Sequence, residues 1–115
     1  MAWKDIPDSK AWIDLLMKEK GYETHGEAAA RLEVLRQSVQ QWRAGEAQMD
    51  ELAAARVGLN LGVNPLFVIA TVAYHKAKTA GKKKAWELIM KPIEPKHPDE
   101  RRKKTRGPKN PTSKG

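Results

Sequence analysis

Leu32 to Glu46 reads "LEVLRQSVQQWRAGE". Between Arg36 and Arg43 it sets three glutamines, two arginines and a serine around Val39 and Trp42. No acid lies between Glu33 and Glu46. On a helix, residues three and four apart share a face. Val39 and Trp42 then point together into the domain, with Leu35 one turn earlier. Arg36 pairs in projection with Gln40, and Gln37 with Gln41, on the outward side, with Ser38 on its flank. The spacing predicts a helix over 36–44, stopped by Gly45, with an apolar root and a face of amides and a guanidinium.

That chemistry suits base edges. A glutamine amide donates and accepts at once and can pair with adenine N6 and N7 in the major groove. Arginine can grip guanine O6 and N7 with two donors. Carboxylates would repel phosphates, and this face carries none. The plainer alternative is a solvated polar face on an ordinary helix, since glutamine is a fair helix former.

Outward from this segment the chain reads as further short helices. Asp8 or Ser9 can cap a first helix from about Lys10, with Trp12, Ile13, Leu16 and Met17 at helical spacing and Gly21 as its stop. Thr24-His25-Gly26-Glu27 has capping-box spacing. It leads into a short second helix, Ala28-Ala29-Ala30-Arg31-Leu32, whose small residues fit close packing. This helix and the quoted one, joined by a tight turn, make a helix-turn-helix.

A fourth helix starts at Asp50 and carries Leu52, Val57, Leu59 and Leu61, weakened by Gly58 and ended by Gly62. Asn64-Pro65 is a strong start signal for a fifth, over 65–79. Gly81 breaks it. Residues 82–90 form a sixth, with Trp86, Ile89 and Met90 on one side, and Pro92, Pro95 and Pro98 forbid its continuation. From there to Gly115 no apolar periodicity remains. The expected fold is all-α: a compact bundle of five to six short helices containing a helix-turn-helix (1–91), with a disordered basic C-terminal tail (92–115).

The charge is divided in the same way. The net charge is +8. Residues 1–79 hold ten Lys/Arg and ten Asp/Glu, and residues 80–115 hold twelve and four. A near-neutral globular part followed by a basic tail suits a polyanion, although a tail that merely solubilises has the same composition. Lys82, Lys83 and Lys84, and the run Arg101, Arg102, Lys103, Lys104 and Arg106, are candidate phosphate contacts. Each engaged side chain would release about one counterion. The segment Arg106-Gly107-Pro108-Lys109 bears a faint likeness to minor-groove arms.

Cysteine is absent, which removes disulfides and thiolate zinc sites and fits a reducing compartment. No apolar run approaches the ~18 residues of a membrane span, and Met1–Asp5 lacks the features of a signal peptide. The expectation is a soluble, intracellular protein with no membrane partner. His25, His75 and His97 show no metal-ligand spacing, and Gly81-Lys82 lacks the rest of a phosphate loop. No serine-histidine constellation is present. Neither an enzyme, a cofactor, a metal nor a small-molecule substrate is expected.

Residues 25–63 resemble the lambda-repressor and Cro-like helix-turn-helix family. The family pattern has leucine-alanine, two residues, leucine-glycine-valine-serine, three residues, then valine and a polar pair before an aromatic or leucine, with glycine three residues on. This chain reads Ala28-Ala29, Leu32-Glu33-Val34-Leu35, Val39-Gln40-Gln41-Trp42 and Gly45, in register without a gap. Val57-Gly58-Leu59-Asn60-Leu61-Gly62-Val63 resembles the close of the family's fourth helix, and "NPLFVIATVAYHKAKT" after it resembles the continuation in small phage-encoded proteins. Two positions depart. Glu33 stands at the turn glycine, where a side chain meets backbone strain. Leu35 stands at the capping serine, which forfeits ~1 kcal/mol.

The resemblance implies a sequence-specific DNA-binding transcriptional regulator, a phage or prophage repressor in the cytoplasm of a bacterial host. Carried over by position, Arg36, Gln37 and Gln41 would face bases, Gln40 and Ser38 would reach bases or phosphates, and His25 and Arg43 would meet phosphates. Val39 and Trp42 belong to the core. Trp86, Ile89 and Met90, with exposed parts of residues 66–74, would either close a homodimer reading half-sites ~34 Å apart or complete the monomer's core. The rival reading is a protein- or RNA-interaction module on a scaffold of the same shape.

Overall fold

Asp8 accepts a hydrogen bond from the Ala11 amide and starts α1 (Ser9–Lys20), which Gly21 ends in the left-handed region. The computed structural model describes Trp3 and residues 5–96. Five more helices follow: α2 (His25–Leu32), α3 (Arg36–Arg43), α4 (Glu51–Leu61), α5 (Pro65–Lys76) and α6 (Ala80–Met90), then a 3-10 turn, Lys91–Ile93. The fold is all-α, a compact bundle, with no strand among the described residues. Nor is any helix among them long and apolar enough to cross a membrane. The expected phosphate contacts at Arg101, Arg102, Lys103, Lys104 and Arg106 lie outside the described residues, as does His97.

Local signals account for most helix starts. Thr24 and Glu27 close a reciprocal capping box on α2, and Asp50 caps α4 through the Ala53 amide. Asn64 accepts from the Leu66 amide, with Pro65 opening α5. The α5–α6 junction differs from expectation. α5 ends at Lys76, and Thr79 caps α6 through the Lys82 amide. Gly81 therefore sits in the first turn of α6, and the true break is the extended Ala77 before it.

Around α1 the core gathers Trp12, Ile13 and Leu16, with Leu32, Val39, Val57, Phe67 and Val68 from the other helices. The Trp12 indole N–H donates to Thr71 Oγ1 at 2.7 Å, and the Thr71 hydroxyl donates in turn to the Val68 carbonyl at 2.8 Å. This satisfies two polar groups that would be costly alone in the interior. Ser9 is also buried. Its hydroxyl accepts from the Met49 amide at 2.8 Å and donates to Gln48 Oε1 at 2.8 Å, which pins the loop after α3 to the start of α1.

The packed domain continues past Lys91, the expected boundary. Trp3 is buried beside Trp12 and Phe67, with ring centroids 4.9 and 5.6 Å away, and its indole donates to the Pro95 carbonyl at 2.9 Å. Residues expected to begin the tail therefore help to close the fold. The trio at the end of α6 divides: Met90 is buried, Trp86 is half-buried against the core, and Ile89 is exposed.

On α4, Leu52 and Leu59 face outward while Ala53, Ala54, Val57 and Leu61 are buried. Close approach explains why small residues take the inner face. A Cβ on Gly58 would meet Pro65 Cα at 2.8 Å and the Val63 carbonyl oxygen at 2.9 Å. Gly58 lets the start of α5 press against α4, a use that outweighs its cost in helix propensity.

Candidate nucleic-acid interface

α2 and α3 pack together as a helix-turn-helix whose turn is Glu33-Val34-Leu35. Glu33 adopts the left-handed conformation, φ 58° and ψ 45°, as the glycine position of the turn requires. The Val34 amide donates back to the Ala29 carbonyl at 3.0 Å, and Val34 packs against the core. Arg56 braces the turn from α4. Its Nη1 donates to the Leu32 carbonyl at 3.0 Å, and its second terminal nitrogen lies 3.9 Å from Glu33 Oε1.

Leu35 does not point inward. Its backbone is extended, φ −76° and ψ 144°, and its side chain is 72% exposed. It is the N-cap residue, outside the helix proper, so helical spacing from Val39 does not apply to it. Val34 takes the inward place. As the missing serine implies, no side chain caps α3.

α3 follows the expected division except at Gln41, expected on the outward face beside Gln37 but half-buried. Val39 and Trp42 are buried, and Arg36, Gln37 and Gln40 are exposed. Ser38, Gln41 and Arg43 are half-buried. Gln37, Gln40 and Gln41 line a shallow depression of about 250 Å³ with Ala44 and Glu46. Glu46 reaches this edge because Gly45, φ 78°, turns the chain back and the Glu46 amide donates to the Gln41 carbonyl at 2.9 Å. The helix face has no acid, but the next turn lends it one.

The structure brings His25 and Arg43 together at the end of α3. Arg43 Nη1 lies 3.4 Å from His25 Nε2. Arg43 Nε donates to Asp14 Oδ1 at 2.8 Å, and Lys10 holds the other oxygen at 2.9 Å. Burial pushes the Asp14 carboxyl up, but hydrogen bonds from Lys10 and Arg43, with their charges, bring it below the ordinary aspartate value. Arg43 is thus already paired, whereas Arg36 faces solvent and its stem lies near Gly26 at the start of α2. On α6, Lys82 and Lys84 are exposed, while Lys83 donates to the Tyr74 carbonyl at 3.1 Å.

Asp14 and Arg56 were not legible as parts of this region, since each reaches it from another helix. Leu35 had a signal: an apolar residue where a cap belongs. Together the surface offers amide donors and acceptors, one free guanidinium and one large apolar side chain, flanked by Glu33 and Glu46. Comparison with known proteins finds no matching family profile, no matching curated protein and no matching solved structure.

Proposed function

We propose that the chain is a sequence-specific DNA-binding transcriptional regulator of the lambda-repressor and Cro-like kind, a phage or prophage repressor that enters the major groove with α3. One observation carries the reading. Arg36, Gln37 and Gln40 are exposed on the side of α3 opposite the buried Val39 and Trp42. The helix is therefore anchored by its apolar root and free along the side whose chemistry matches base edges. Arg36 and the glutamines discriminate. The lysines of α6 and the basic residues 101–106 attract the phosphates without regard to sequence.

Selection of bound duplexes from a random pool tests this. A preferred duplex should outcompete scrambled DNA at moderate salt. Gln37→Ala with Gln41→Ala should abolish the preference while the helical circular dichroism and melting curve stay as in the wild type. Equal binding by the double variant would remove the base-reading role. A palindromic result would point to a homodimer, for which Leu88 and Ile89 are exposed on α6.

A second reading has an observation in its favour. Arg43 is spent on Asp14, and Glu46 edges the glutamine depression, so the face has little net positive charge. A polar protein partner would suit such a surface, and the scaffold would then be an interaction module. Binding that shows no preference among duplexes in the selection would favour it.

A further inference from the structure

We propose that Leu35 reads the 5-methyl group of a thymine beside the base that Gln37 contacts. The inference rests on the DNA-binding reading above and adds a specificity residue outside the polar face. Leu35 is the one large apolar side chain left exposed between Glu33 and Glu46; Val34, Val39 and Trp42 are all drawn into the core or against it. It stands at the first turn of α3, the end that meets a groove first when a recognition helix docks by its N-terminus.

Its backbone is committed to the helix, because the Leu35 carbonyl accepts from the Ser38 and Val39 amides at 3.0 and 3.4 Å. The side chain is mostly exposed and stands outside the core cluster, and it occupies the place of a capping group. A local rule broken twice at one residue marks a place where the gain lies in a partner. In the major groove the apolar feature of base pairs is the thymine methyl. Arg36 and Gln37, next in the chain, supply the polar contacts on the same approach.

The test substitutes deoxyuridine for each thymine of the selected duplex in turn. This removes the methyl and keeps every hydrogen-bonding group. Wild-type protein should lose roughly three- to fivefold in affinity at one thymine position for each α3 engaged, the factor for one buried methyl. Leu35→Ala should bind thymine and deoxyuridine equally there and still lose its preference on Gln37→Ala. Leu35→Ser should melt higher than wild type, because it restores a cap, and yet lose the methyl sensitivity, which separates recognition from stability. If wild type binds every deoxyuridine duplex as it binds thymine, or if Leu35→Ala keeps the sensitivity, the proposal falls and the DNA-binding reading stands. If no duplex is preferred over scrambled competitor, both fall.

Discussion

Arg56 Nη1 donates to the Leu32 carbonyl at 3.0 Å, so a side chain from α4 holds the last carbonyl of α2 where the chain turns toward α3. The turn needs such a brace because Glu33 stands in a conformation that costs an L-residue roughly 1–2 kcal/mol. The nearby Glu33 carboxylate adds little, being 3.9 Å away and mostly exposed.

Arg56→Ala should therefore lower stability by about 1 kcal/mol, the net worth of one hydrogen bond. Glu33→Gly should raise it by about 0.5–1 kcal/mol, because relief of the left-handed strain exceeds the added chain entropy. Urea midpoints measure both. A destabilised Glu33→Gly would contradict the strained turn.

Gly58→Ala is expected to destabilise by about 1–2 kcal/mol, although alanine is the better helix former. The atoms it meets, Pro65 Cα and the Val63 carbonyl oxygen, are backbone and cannot rotate away. Thermal melting of the variant checks this, and an increase in Tm would mean that α5 does not press on α4 at that point.

Asp14 links pH to stability. Its folded-state value is depressed, so its contribution is present above the ordinary aspartate value and is lost as pH falls through the depressed one. Asp14→Asn should cost at most about 1 kcal/mol at neutral pH, given how exposed the pair is, and the gap to wild type should close in acid. If α3 enters DNA as proposed, the same variant frees Arg43 and should strengthen that binding, with a steeper salt dependence. A gap that persists unchanged in acid would remove the carboxylate from the account.

The buried Trp12–Thr71 hydrogen bond gives a fourth test. Thr71→Val keeps the shape but leaves the indole N–H without its partner, at a cost of about 1–3 kcal/mol. Combining it with Trp12→Phe should cost less than the sum of the two single changes. Strict additivity would show that the two groups are uncoupled.

What the sequence made legible was local. Capping boxes, cap-proline pairs and stop glycines work within a few residues, so Asp50, and Asn64 with Pro65, placed their helix starts, and Thr24 with Glu27 marked α2, which begins at His25 rather than Ala28. The three-residue spacing of Val39 and Trp42 placed the inner face of α3 for the same reason. Periodicity failed where the helix had not begun, at Leu35. It failed in part on α4, where Val57 and Leu61 are buried as expected but Leu52 and Leu59 face outward and Ala53, Ala54 and Gly58 complete the packed side. Thr79 caps α6 rather than ending α5, and nothing in its immediate surroundings says that Ala77 is extended. Arg56, Asp14 and Trp3 act through partners far along the chain, and no short pattern encodes such a meeting.

The bond from Trp3 to the Pro95 carbonyl has an engineering consequence. Trp3 and Pro95, near the two ends of the described residues, meet at one corner, so a short peptide linking the chain there would close the backbone into a loop without stretching it. New ends could then be cut at Gly45, an exposed position in the turn after α3. A rearranged chain of that kind should still assemble the same bundle while leaving the glutamine-bearing helix beside a free end, where fused reporters would sense whatever docks there.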